Sequence, residues 1–99
     1  MLNMHQVENA AAIISAKRRF QIMCCLAAGQ SKFNEIKRDC GNVSATELAR
    51  SLKFLEKKGL IQKITYASTA KQTKYELTKK GKGFSNVLNA INKWGAEIQ

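Results

Sequence analysis

The stretch SKFNEIKRDCGNVSATELARSLKFLEKKG, residues 31–59, decides the fold. Phe33, Ile36 and Cys40 stand at i, i+3 and i+7, which predicts a short helix over about Lys32 to Cys40 with one buried face. Ser31 is a suitable N-cap for it, because a hydroxyl oxygen there can accept from an orphan amide of the first turn. Gly41-Asn42 follows, and both residue types tolerate positive φ, so the chain turns there. Ser44-Ala45-Thr46-Glu47 then reads as a capping box. In it the Ser44 hydroxyl accepts from the Glu47 amide, and the Glu47 carboxylate reaches back to the Ser44 amide. The helix it opens carries Leu48, Leu52 and Leu55 at i, i+4 and i+7 and stops at Gly59, after Lys57 and Lys58. A short helix, a tight turn and a second amphipathic helix make a helix-turn-helix over about residues 31–58.

Downstream of Gly59 the period changes to two. Leu60, Ile64 and Tyr66 lie on one side, with Ile61, Lys63 and Thr65 on the other. Thr73, Tyr75 and Leu77 then alternate with Lys74, Glu76 and Thr78. Two such runs around the polar segment 67–72 predict a β-hairpin with a long tip, a wing over about residues 60–78. Thr78 can cap a last helix over about 79–97, in which Gly81 and Gly83 weaken the first turns. Its stripe is Val87, Ile91, Trp94 and Ile98, flanked by Phe84 and Leu88. Upstream, residues 4–14 and Ala16 to Ala28 both look helical, and Gly29 caps the second. Ser15 either separates the two or sits within one bent helix. The expected fold class is mainly α (α+β): one winged helix-turn-helix domain over residues 1–99, with a two-stranded wing and terminal helices.

The composition fits that architecture. Ninety-nine residues suffice for one small core. No apolar run approaches the ~18–20 residues of a membrane span, and Met1 to Gln6 lacks the basic-then-apolar order of a signal peptide. Three cysteines, two of them adjacent at Cys24-Cys25, suit a reducing, cytoplasmic compartment better than a disulfide scaffold. With one histidine and no C-x-x-C spacing, no metal site is expected, and no cofactor either. No phosphate loop, paired-carboxylate pocket or nucleophile–base pair points to catalysis. The net charge is +10. Residues 59–83 hold six lysines against Glu76 alone, whereas the last sixteen residues hold only Lys93 and Glu97. A charge concentrated in the middle of the chain favours a polyanion partner.

Double-stranded DNA is the polyanion that this pattern fits. An α-helix enters the major groove, where each base pair presents its own donors and acceptors. With its leucines buried, the helix 44–58 offers Ala45, Thr46, Glu47, Arg50, Lys53 and Phe54 on its other side. Ala45 and Thr46 can touch a thymine methyl, and Arg50 is the best bidentate partner for guanine. Glu47 reads as a cap rather than a base contact, and Ser44 fixes the entry of the helix. Lys32 is placed to meet the phosphate backbone, and Lys71, Gln72 and Lys74 of the wing segment 67–74 can reach backbone or minor groove. Lys63 has no assigned direction. Winged helices binding RNA or an acidic protein, or binding duplexes without sequence preference, carry similar charge, so those partners stay open at this level.

The same residues carry a family resemblance. Lys32-Phe33-Asn34-Glu35-Ile36 resembles the "RFNEL" opening of the second helix in HxlR-type transcriptional regulators, relatives of the MarR group. Val43-Ser44, Leu48, Leu52, Leu55-Glu56 and Gly59-Leu60-Ile61 resemble that family's "IS…L…L..LE..GL(I/V)". Tyr66, Thr73 to Thr78 and Gly81 are similar to its wing pattern, and Asn92-Lys93-Trp94-Gly95 to the end of its last helix. The resemblance spans about residues 20–95. It departs at the wing tip, where the family's proline is replaced by Thr69-Ala70-Lys71. Some members sense oxidants or quinones through a cysteine ahead of the first long helix, and this chain has none before Cys24. Cys24 and Cys25 are expected to pack inside a helix, and Cys40, beside the turn, to be the more exposed thiol.

A homodimer is expected from both ends of the chain, and the resemblance implies the same. Val7, Ala11 and Ile14 in the first helix, with Val87, Ile91, Trp94 and Ile98 in the last, make more apolar surface than one small domain buries. Packing of the last helix on the first within one chain is the alternative. A twofold pair would set two recognition helices in successive major grooves, ~34–36 Å apart.

Overall fold

A computed structural model describes residues 1–64 and 73–99. The helix opened by Ser44, α4 (Ala45–Lys57), buries Leu48, Leu52 and Leu55 almost completely. Removing each of these from water contributes about 1.5–3 kcal/mol. Its start is fixed by the Ser44 Oγ, which accepts from the Glu47 amide at 3.1 Å. Its end is closed by Gly59 at φ +75°. There the Gly59 and Leu60 amides donate back to the Glu56 and Leu55 carbonyls at 2.9 and 3.0 Å.

The preceding helix, α3 (Phe33–Asp39), buries Ile36 against the same core. Gly41 and Asn42 both take positive φ, +80° and +58°. Their amides satisfy the Arg38 and Lys37 carbonyls, each at 3.0 Å. The start of α3 differs from the expectation. Ser31 is not its N-cap; Ser31–Lys32 form a two-residue strand, β1, and the Lys32 amide donates to Glu35 Oε1 at 2.7 Å. A strand of two residues has no period to read, and it exists because a partner lies beside it.

That partner belongs to the wing. β2 (Ile61–Ile64) and β3 (Lys74–Leu77) form the expected antiparallel hairpin. β1 extends it to a three-stranded sheet in the order β1-β3-β2. Ser31 pairs with Tyr75 and Lys32 with Lys74. Ile61 faces Leu77 and Lys63 faces Tyr75 across β2 and β3. Ile61, Tyr75 and Leu77 enter the core, which confirms the alternation along β3. The expected wing tip lies in residues 65–72, outside the described residues.

Two helices precede β1. α1 (Met4–Ile14) ends at Ser15, and α2 (Lys17–Ala27) starts after Ala16, so Ser15 separates two helices. α2 is the central element, with Ile22, Met23 and Leu26 buried, and it packs on α1, α4, β3 and the last helix. That last helix, α5 (Phe84–Glu97), follows a 3₁₀ turn at Gly81–Gly83. The expected start at residue 79 under a Thr78 cap is not observed: α5 begins five residues later without a side-chain cap, and the Thr78 hydroxyl instead accepts from the Gly81 amide at 3.1 Å and donates to the Gly59 carbonyl, tying the 3₁₀ turn to the end of α4. Phe84 meets Phe20 of α2 edge to face, 5.9 Å between ring centres. Among the described residues no helix is long and apolar enough to cross a membrane.

Candidate nucleic-acid interface

The two faces of α4 differ as the leucine spacing requires. Ser44, Ala45, Thr46, Arg50 and Lys53 are all exposed on the side opposite Leu48, Leu52 and Leu55. Arg50 and Lys53 make no ion pair or side-chain hydrogen bond among the described residues. Thr46, Arg50, Lys53 and Lys57 succeed one another at helical spacing, so they form one polar, cationic stripe. β2 adds to it: Lys63 is exposed on the face it shares with Tyr75, its ammonium 6.0 Å from that ring, and it lines a shallow depression with Lys53 and Lys57. Burial, followed by the nearby Glu56 carboxylate, pushes the Tyr75 hydroxyl above its ordinary range.

Lys32 is exposed at the junction of β1 and α3. Its register partner Lys74 is half-buried, and paired residues of antiparallel strands share one face. The sheet thus sets two candidate phosphate contacts side by side. Lys71 and Gln72 lie outside the described residues.

Two expectations for this region are corrected. Glu47 does not close a reciprocal capping box; its carboxylate pairs with Arg18 Nε of α2 at 3.1 Å. Phe54 is not on the open side of α4. It is half-buried, with the Arg19 guanidinium 3.5 Å from its ring centre and the Lys58 ammonium at 5.6 Å. Both corrections come from α2, whose arginines were not singled out in the sequence. A signal was present: Lys17, Arg18 and Arg19 fill the first turn of a helix with no acid, against the helix dipole.

The thiols also sort differently. Cys40 is buried, at 5% exposure, while Cys24 and Cys25 are half-buried beside a cleft that Phe20, Gly29 and Asp39 also line. The Cys25 Sγ lies 3.7 Å from both the Ser31 hydroxyl and an Asp39 carboxylate oxygen. Burial raises all three thiols above the usual thiol value; at Cys25 the Ser31 bond opposes it, and at Cys40 the Arg18 charge does. Such thiols are protonated and slow to react near neutral pH. Among the described residues no His, Cys, Asp and Glu cluster could hold a metal ion.

The ends of the chain are apolar on the outside. Trp94 and Ile98 of the α5 stripe are 62% and 63% exposed, Val7, Ala11 and Val87 are exposed, and Ile14 and Ile91 are half-buried. Leu2 and Met4, not singled out in the sequence, extend the exposed apolar surface of α1.

Comparison with known proteins gives the same architecture. The sequence profile described as HxlR-like helix-turn-helix matches residues 13–99. An uncharacterized HTH-type transcriptional regulator of Methanothermobacter thermautotrophicus is 35% identical over 89 residues, covering 90% of this chain and 68% of that protein. The uncharacterized HTH-type transcriptional regulator YtcD of Bacillus subtilis is 31% identical over 90 residues, covering 91% of this chain and 71% of its own. The crystal structure of a transcriptional regulator of the MarR family from Enterococcus faecalis superposes with a TM-score of 0.86 at 21% identity, over 99% of this chain and 89% of that one, a likeness of fold.

Proposed function

The chain belongs to the HxlR-like helix-turn-helix family of transcriptional regulators, and we propose that it acts as a homodimer that recognises a specific duplex DNA sequence. In this reading α4 lies in the major groove. Arg50 bonds a guanine edge, Ala45 and Thr46 contact bases near the N-terminal end, and Ser44 sets the entry. Lys53, Lys32 and Lys74 neutralise phosphates, with Lys71 and Gln72 of the wing segment on backbone or minor groove. Val7, Ala11, Ile14, Val87, Ile91, Trp94 and Ile98 pair the protomers, so the operator is pseudo-palindromic. The protein works in the cytoplasm, where its free thiols stay reduced.

One observation carries this reading: the threonine and arginine side of α4 is uncovered, whereas its leucine side is sealed. The test is selection of binding sites from a random duplex library, followed by gel shift with Arg50→Ala. A bidentate contact is worth about 1–3 kcal/mol of discrimination, so the variant weakens the preferred duplex by roughly five- to 150-fold and relaxes the choice at one base pair. Selection that yields no preferred duplex refutes the reading. Single-stranded RNA outcompeting every duplex at equal salt refutes it as well.

A further inference from the structure

Two adjacent arginines at the head of α2 grip the two ends of α4. Arg18 Nε donates to Glu47 Oε1 in the first turn of α4 at 3.1 Å. Its Nη1 donates to the Cys40 carbonyl, at the end of α3, at 3.1 Å and to the Gln21 side chain. One guanidinium therefore ties α2 to both helices of the helix-turn-helix. The Arg18 side chain is 21% exposed and the Glu47 side chain 49%, so the charge pair itself is partly screened, and the bond to the Cys40 carbonyl is the more sheltered half of the grip.

Arg19 works at the other end. Its Nη1 donates to the Ala12 carbonyl in the last turn of α1 at 3.0 Å, and its guanidinium stacks 3.5 Å from the ring centre of Phe54. Glu47 and Phe54 are seven residues apart on α4, about 10 Å along the axis. A helix held at one point can pivot, whereas a helix held at two points that far apart keeps its tilt. The surroundings fit this role, since three cations at the positive end of α2 are unfavourable unless other contacts offset them.

We propose that Arg18 and Arg19 are positioning residues for duplex recognition, fixing the angle of α4 on the α1–α2 frame without touching DNA. The inference rests on the reading of α4 as the recognition helix. Arg18 keeps the first turn in register with the bases, and Arg19 keeps the last turn against α1, which the dimer holds.

The experiment measures the affinity of the wild type, Arg18→Ala, Arg18→Lys, Glu47→Gln, Arg19→Ala and the double variant Arg18→Ala/Glu47→Gln. Each is titrated with the selected duplex and with a scrambled one, at a temperature where circular dichroism shows all of them folded. Affinities are expressed per active protein, so a loss that only lowers the folded fraction leaves them unchanged. Arg18→Ala and Arg19→Ala should each lose roughly tenfold in preference for the selected duplex, about 1.4 kcal/mol. The slope of log affinity against log salt should stay that of the wild type, because no phosphate contact is lost. The double variant should match Arg18→Ala, because one bridge is already broken. Arg18→Lys should fall between, and it keeps the test open where the alanine variant does not fold.

Unchanged preference in both alanine variants overturns the proposal. So does a slope reduced by about one, which marks a direct phosphate contact. A second arm needs no duplex: exchange of the Glu47 and Leu48 amides, which donate to the Ser44 hydroxyl and carbonyl, should speed up about tenfold in Arg18→Ala, and unchanged protection overturns the clamp. A wild type with no preferred duplex overturns the reading of α4 and the positioning role with it, and the exchange arm then reports on the clamp alone.

Discussion

Replacing Gly81 with alanine tests the joint between α4 and the wing. Gly81 is buried in the 3₁₀ turn ahead of α5. A Cβ built there overlaps the Leu60 carbonyl oxygen and comes within 2.9 Å of the Leu60 carbonyl carbon and 3.3 Å of its Cα. These are backbone atoms, so no rotamer change relieves the clash. Leu60 is itself tied, through its amide to Leu55 and through its carbonyl to the Thr78 amide, each at 3.0 Å. Thr78 in turn holds the Gly81 amide and the Gly59 carbonyl. Relief of the overlap must therefore stretch this small network. Overpacking costs about 1–3 kcal/mol, and a lost or distorted hydrogen bond adds about 1 kcal/mol. A total of about 3 kcal/mol lowers Tm by roughly 12–24 °C in a domain of this size. The assay is thermal unfolding by circular dichroism at matched protomer concentration, since self-association would shift Tm. Gly83→Ala, where the backbone is already right-handed helical and an added Cβ meets nothing within 4 Å, is the control and should hold Tm or raise it by a few degrees. A Gly81→Ala variant within a few degrees of the wild type would refute the packing argument.

Leu52→Ala, at 1% exposure in the centre of α4, should cost about 2–5 kcal/mol, read as a lower urea midpoint at unchanged m-value. If the proposed dimer forms, Trp94→Glu should weaken self-association by about 30-fold or more in sedimentation equilibrium without unfolding the protomer, because an exposed tryptophan at the centre of such a contact acts as a hot spot; an unchanged association constant removes Trp94 from the proposed interface. Stability should fall on the alkaline side. Burial raises Cys24, Cys25, Cys40 and Tyr75 in the folded chain, so their contribution is complete below about pH 9 and is lost as the pH climbs through the folded values. Urea midpoints at pH 7, 9 and 10.5 check this, and a Cys25→Ser variant should show a shallower decline.

What could be read in the chain follows from the range of each interaction. Ser44, the leucines of α4, the Gly41-Asn42 turn and the alternation along β3 are local signals, since each depends on residues a few positions apart. The partners of Arg18 and Arg19 could not be read for the opposite reason: the cation run at the head of α2 is local, but Glu47 lies 29 residues from Arg18, and no spacing rule links them. The same distance explains Glu47 and Phe54, whose local chemistry admitted a cap and an open face until α2 arrived. Cys40 stands next to a turn in sequence, yet its side chain sits inward at the i+7 position from Phe33, so helix phase and not proximity to the turn set its burial. β1 could not be read at all, because two residues have no period.

Those two residues have a mechanical consequence. Ser31 and Lys32 are at once an edge of the sheet and the lead-in to α3, so no slack separates wing from helix pair. Excising residues 33–58 for transplantation into another scaffold would discard this seam and leave the cut end of α3 without its tether. The helix-turn-helix here is less a cassette than one end of a continuous frame; under the proposed reading of α4, specificity would be exchanged between relatives by swapping side chains on that helix rather than whole segments.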